Sequence, residues 1–202
     1  MLRRTCFFVL LLVGVAFSGA AVPPPQKTVV TSLPDFGTLP SPQATGFINV
    51  SNNSNAAYLF YWYVPSMNSP VTDPLVVWLS GGPGCSSELS YFYEIGPFRV
   101  LGSGAAGNTS LEFNSFTWAR NASLLFIDSP VGTGFSYLAS PLEGGYATDE
   151  KAVADALYAF LNVWFPLFPI HKDAPFYISA ERFVQPKKEF LFFFPSNISF
   201  LI

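Results

Sequence analysis

Apolar residues along the chain fall into short runs set off by glycine, proline and polar clusters, with one longer helical pattern among them. Residues 46–50 and 58–64 read as two aromatic-rich strands joined by an Asn/Ser turn at 51–55. Residues 75–79 and 124–127 are continuous apolar stretches, the pattern of strands buried on both faces. Residues 149–165 repeat apolar side chains at helical spacing through Val153, Leu157, Phe160, Leu161 and Trp164. Thr148 is the expected cap of this helix, Asp149 and Glu150 suit its positive end, and Pro166 is the expected stop. A further strand follows at 176–179. Strand, helix, strand is the rhythm of a parallel α/β sheet. Residues 23–42 are rich in proline and predict an extended arm, and 102–107 predict a Gly/Ala/Ser loop. Neither an internal repeat nor a second domain is visible.

Composition narrows the function classes. A chain of 202 residues accommodates one domain with a sizeable core. A net charge of −3 with only ten Lys and Arg leaves no basic patch, which disfavours nucleic acid as a partner. The N-terminus has the three-part layout of a secretory signal: Arg3 and Arg4, an apolar stretch from Cys6 to Phe17, then small residues. Cleavage is expected after Ala20, so residues 1–20 are assigned as a signal peptide, and the apolar stretch is shorter than the ~20 residues a membrane span needs. The expected location is the secretory pathway, extracellular or vacuolar/lysosomal. Asn49, Asn52, Asn108, Asn121 and Asn197 head Asn-x-Ser/Thr tripeptides and become candidate glycosylation sites. With Cys6 removed, Cys85 has no intrachain disulfide partner.

The candidate chemistry begins at Trp78-Leu79-Ser80-Gly81-Gly82-Pro83-Gly84-Cys85-Ser86-Ser87. A buried strand ends abruptly in glycines, which turn sharply and leave backbone N–H groups uncovered. Such groups suit an oxyanion or a carboxylate. This decapeptide resembles the signature of serine carboxypeptidases. Further segments resemble that family in the same order: Tyr93-Glu94-Ile95-Gly96-Pro97-Phe98, Asn114-Ser115-Phe116-Thr117-Trp118, Leu125-Phe126-Ile127-Asp128-Ser129-Pro130-Val131-Gly132-Thr133-Gly134-Phe135-Ser136-Tyr137 and Pro175-Phe176-Tyr177-Ile178-Ser179. In the third of these, Ser129 stands where glutamine is usual.

The resemblance implies the N-terminal part of an α/β-hydrolase fold over residues 21–181, incomplete, with a mostly parallel central sheet and flanking helices. It implies release of C-terminal residues from peptides, no cofactor and no metal. Gly82 would supply one oxyanion-hole amide. The substrate carboxylate would meet Ser80, Gly81, Glu94 and Glu181, Ser80 replacing the family's asparagine. A glutamate binds a carboxylate only when the two share a proton, which favours acidic pH. The family's cysteine at position 85 pairs with one much further along, and no later cysteine occurs here.

The nucleophile is missing. After the strand at 176–179 the family carries Gly-Glu-Ser-Tyr-Ala-Gly, whereas this chain reads Ala180-Glu181-Arg182-Phe183-Val184. Arg182 occupies the serine position, and arginine is no nucleophile. Serine, acid, histidine is the chain order of this fold. His171 and Asp73, Asp128, Asp149, Asp155 and Asp173 all precede position 182, so none is the triad partner. His171 is read as an ordinary loop histidine and Asp128 as the support of a buried loop network. Residues 182–202 form an apolar tail unlike the family, as T-rich intron sequence read through from a split serine codon would give. A transcript aligned to its genome tests that, an ordinary spliced exon for 183–202 contradicting it. The sheet is then expected to leave the strand at 176–179 with an open edge.

Three activities follow as alternatives: a carboxypeptidase parent with this chain inactive by itself, an acyltransferase relative on the same fold, and a non-catalytic decoy that binds peptide C-termini.

Overall fold

A computed structural model describes residues 24, 26–51, 55–82, 84–102, 109–181 and 198–201, the last four and residue 143 in their backbone only. The predicted signal peptide lies outside them, as do Arg182 and most of the apolar tail.

One mixed sheet organises the chain. Its strands are β1 (Thr28–Leu33), β2 (Gly37–Asn49), β3 (Ala57–Val64), β4 (Leu75–Leu79), β7 (Ser123–Ile127), β8 (Tyr137–Leu138), β9 (Phe176–Ala180) and β10 (Ile198–Leu201). The order is β1-β2-β3-β7-β4-β9-β10, with β8 beside β3. The N-terminal strands pair antiparallel, up to and including β3 with β7. From β7 through β4 and β9 to β10 the pairing is parallel. A second sheet is the hairpin of β5 (Phe98–Leu101) and β6 (Ser110–Phe113), which joins across the predicted 102–107 loop.

The continuous apolar runs earn their place by burial on both faces. Along β7, Leu125 and Ile127 join one core with Leu75, Val77, Tyr61 and Tyr63. Leu124 and Phe126 join the other, with Val76, Trp78, Tyr91 and Phe98. The first core is covered by α2 (Glu150–Leu167) through Leu157, Phe160, Leu161 and Trp164. The second is covered by α1 (Glu88–Tyr93) and the β5–β6 hairpin.

Several expectations are corrected. The extended arm is a hairpin: β1 pairs with β2 through Thr28↔Thr45 to Val30↔Gln43, then again at Ser32↔Thr38 and Leu33↔Gly37. The pairing skips residues 39–42, where Pro40 and Pro42 have no N–H to donate, so the prolines interrupt the ladder without abolishing it. Asp149, not Thr148, caps α2, its carboxylate accepting from Ala152 N at 2.8 Å. Pro166 lies inside the last turn rather than ending the helix. The outer edge of β9 is not open, because Ile198–Leu201 of the apolar tail pairs with it in parallel, Ile198 opposite Phe176 and Leu201 opposite Ser179.

His171 is the largest change of role. It is 1 % exposed and lies nearly flat over Trp164, ring centroids 5.8 Å apart. Its Nε2 is 2.8 Å from the Tyr63 hydroxyl. Burial pushes its pKa down to about 4 from 6.5. A buried neutral histidine stabilises the fold fully above pH 6.5, and that contribution is lost as pH falls towards 4, where only the unfolded chain takes up the proton readily. The unfolding free energies of wild type and His171→Gln should therefore converge on acidification by about 1.4 kcal/mol per pH unit between those limits. Denaturant titrations at pH 4.5 and 6.5 measure the difference, and a pH-independent gap would contradict the burial.

Candidate functional site

The parallel strands β4 and β9 end side by side, Leu79 opposite Ala180. Loops at the C-terminal ends of parallel strands are where open α/β sheets place their ligands. From Leu79 the chain enters the glycine turn of residues 80–87. Gly82 has φ +127, a conformation that favours glycine, and a Cβ there would also sit tightly against Cys85 Sγ at 3.1 Å and Cys85 N at 3.3 Å. Cys85 N closes the turn by donating to Gly81 O at 3.1 Å. Gly82 itself is exposed, as a donor to a ligand must be.

Ser87 anchors the neck of this turn. Its hydroxyl donates to Ile127 O at 2.7 Å and accepts from Ser80 N at 3.2 Å. Its backbone N–H donates to Asp128 Oδ1 at 2.8 Å. Asp128 is fully buried and turns its other oxygen to Phe135 N at 2.8 Å. Ser136 Oγ donates to Asp128 O at 2.6 Å and accepts from Phe60 N at 2.8 Å. Asp128 thus plays the supporting role expected of it, tying the glycine turn to the loop of residues 128–136. The Ser129–Pro130 peptide in that loop is cis.

The expected carboxylate-binding residues arrive by different routes. Glu181 lies next to Ser80, since its N–H donates to Leu79 O at 3.2 Å. Ser80 turns inward: its hydroxyl is 3.0 Å from Ser90 Oγ and accepts from Trp78 Nε1 at 3.3 Å. It is 6 % exposed. Gly81 is buried behind the turn. Glu94 is exposed at the far end of α1, a helix of six residues whose axis is roughly 9 Å long. Ser80, Gly81, Gly82 and Glu181 therefore lie together at the strand ends, and Glu94 lies exposed at the end of α1.

Two of the sequence motifs prove to lock each other. Asn114 Nδ2 donates to Glu94 O at 3.1 Å and Gly96 O at 2.9 Å. Thr117 Oγ1 and Trp118 N both donate to Ile95 O, at 2.8 and 3.0 Å. The Asn-x-x-x-Trp segment fixes the main chain that carries Glu94. Gly96 is needed because a Cβ would overlap the Tyr91 carbonyl.

Sequence reading missed Glu88. Nothing around it in the chain marks it, yet it is 8 % exposed, and burial followed by the neighbouring Asp128 carboxyl raises its pKa. Their separation of 40 positions left no local signal. Cys85 is exposed and carries a free thiol among the described residues. Asn49 and Asn121 are exposed, while Asn52, Asn108 and Asn197 lie outside the described residues. Among the described residues no group of three or more His, Cys, Asp or Glu gathers as metal ligands, and no helix is long and apolar enough to cross a membrane.

Comparison with known proteins bears on this geometry. The family model for serine carboxypeptidases matches residues 34–184. Serine carboxypeptidase-like 21 of Arabidopsis thaliana is 38 % identical over 160 residues, 79 % of this chain and 32 % of that protein. Serine carboxypeptidase S10 family member 1 of Dictyostelium discoideum is 42 % identical over 144 residues, 71 % of this chain and 33 % of that protein. The solved structure of KEX1(DELTA)P, a prohormone-processing carboxypeptidase from Saccharomyces cerevisiae, superposes with a TM-score of 0.59 at 32 % identity. The match covers 69 % of this chain and 30 % of the yeast protein. The chain spans about a third of the length of the curated relatives it matches.

Proposed function

Because the chain belongs to the serine carboxypeptidase family, we propose that it carries the oxyanion half of a serine-type carboxypeptidase site and is catalytically silent by itself. The observation that supports this most is the exposed Gly82 turn at the end of β4, beside a β9 that leads through Glu181 to Arg182. Gly82 N–H is one oxyanion donor. Glu181 and Glu94 are the acids that share a proton with a substrate's terminal carboxylate, in the parent enzyme and at acidic pH. Arg182 supplies no nucleophile, and the oxyanion it would serve never forms. Residues 1–20 direct the chain into the secretory pathway, where Asn49 and Asn121 present exposed acceptors for glycan.

Ser80 favours a second reading of the parent. Its hydroxyl is buried between Trp78 and Ser90 and lacks the amide group that the family's peptidases have there. An acyltransferase relative needs no terminal-carboxylate clamp. The complete gene product, assayed on an N-blocked dipeptide and on an acyl-glucose donor, separates the two. Release of the C-terminal amino acid supports the peptidase, and acyl transfer without peptide release supports the alternative.

A further inference from the structure

Glu88 opens α1 directly after Ser87, whose N–H donates at 2.8 Å to the Asp128 carboxylate at the end of β7. Glu88 Oε2 accepts from Ser86 Oγ at 2.6 Å. Glu88 Oε1 is buried and has no donor among the described residues. Both Asp128 oxygens already accept backbone N–H groups, from Ser87 and Phe135. Two carboxyl groups therefore face each other with acceptors only, in a site where an unsatisfied polar atom is costly. A proton resolves the arrangement. Both Asp128 oxygens are already taken by backbone donors, whereas Glu88 Oε1 has no partner, so the shared proton is assigned to Glu88 Oε1, which then donates to Asp128.

The other groups around the pair do not compete for this role. Tyr91, on the same helix, has its hydroxyl turned to Gln43 Oε1 at 2.8 Å. Burial first, and the nearby Glu88 after it, raise the Tyr91 pKa, so that hydroxyl stays protonated and takes no part in the exchange.

We propose that Glu88 is a positioning residue whose shared proton with Asp128 holds the glycine turn, so that the placement of the Gly82 N–H depends on pH. Asp128 grips Ser87 N, Ser87 grips Ser80, and Gly82 lies on the turn between them. Loss of the proton to water leaves two adjacent anions at the start of α1. Their repulsion moves Glu88 and Ser87 away from Asp128 and loosens the turn. Burial first, then the neighbouring Asp128, raises the Glu88 pKa to about 8 from 4.5. The turn is thus locked in the acidic range and released as pH climbs through that value. This rests on Gly82 being the oxyanion donor of the proposed site, but the proton itself does not.

NMR on the labelled 202-residue chain tests it. The Glu88 side-chain carboxyl is expected to titrate with a midpoint near 8, and the Ser87 and Gly82 amide resonances to move with the same midpoint. With Cys85→Ser in both proteins to remove the thiol that lies against Gly82, Glu88→Gln, which keeps a neutral donor, should leave both amides flat from about pH 6 to 9. A Glu88 midpoint in the ordinary carboxylate range overturns the proposal. So do amides that still titrate in the Gln variant, or a Gly82 resonance that ignores the Glu88 midpoint. Should the variant not fold, the wild-type midpoints decide alone. A chain that meets all these expectations but fails as an oxyanion binder loses the functional reading while the proton switch stands.

Discussion

Gly134→Ala is expected to cost about 3 kcal/mol or more of folding stability, because the new methyl and the Asp128 carboxylate claim the same space. A Cβ at Gly134 would overlap Asp128 Oδ2 and approach Oδ1 at 2.8 Å. Asp128 has nowhere to retreat. It is fully buried, and its two oxygens hold Ser87 N and Phe135 N, both at 2.8 Å. Moving it breaks two charge-assisted hydrogen bonds and strips the glycine turn of its anchor. Gly37→Ala separates this from simple backbone strain, since Gly37 has φ +86 with open space around the added methyl. It should cost only about 1 to 2 kcal/mol. Urea midpoints of the two variants measure the difference, and equal losses would show that the Asp128 cradle contributes nothing.

Trp164→Ala is the second large effect, expected at about 3–5 kcal/mol. Trp164 is fully buried in the centre of the α2 face. It stacks on Phe168 at 4.3 Å and 14°, and meets Tyr61 and Tyr63 edge-on or tilted at 6.5 and 5.6 Å. These rings come from β3 and from the residue that follows α2, so no single side-chain shift closes the cavity. Leu142→Ala, at a fully exposed leucine in the loop before α2, should change stability by less than about 0.5 kcal/mol. Thermal or denaturant unfolding of both variants checks the contrast. A Trp164 variant as stable as the wild type would mean that α2 does not pack on this face.

How far the sequence was legible follows from the range of each interaction. β4, β7, β9 and α2 were readable because continuous apolar runs and a helical repeat are local patterns that burial on both faces then satisfies. The glycine turn was readable for the same reason, since φ +127 at Gly82 is a requirement written in one residue. The β1–β2 hairpin was hidden by Pro40 and Pro42, which argue against a strand locally, although the ladder merely skips them. α1 is too short for its periodicity to register, and β5 and β6 are four residues each. His171 looked like a loop residue because its partners, Tyr63 and Trp164, sit on other elements. Glu88 was invisible because its significance lies wholly in meeting Asp128.

What emerges is a serine carboxypeptidase family scaffold with a firmly held glycine turn at the end of β4 and, on the proposed reading, a cation where the nucleophile belongs. Structure and sequence contribute different parts of that statement. The turn rests on the hydrogen bonds from Ser87 to Ile127 and Asp128, and the proposed loss of the nucleophile rests on Arg182. Stability and silence are separable properties, so folding experiments alone cannot test the second.

Covalent labelling tests it directly. A fluorophosphonate probe reacts with a serine that an adjacent base and an oxyanion hole activate. The folded 202-residue chain, incubated with the probe at pH 5 and examined by intact-mass spectrometry, should gain no adduct and release no amino acid from an N-blocked dipeptide. A stoichiometric adduct on any serine of this chain, together with turnover of the peptide, would contradict the account.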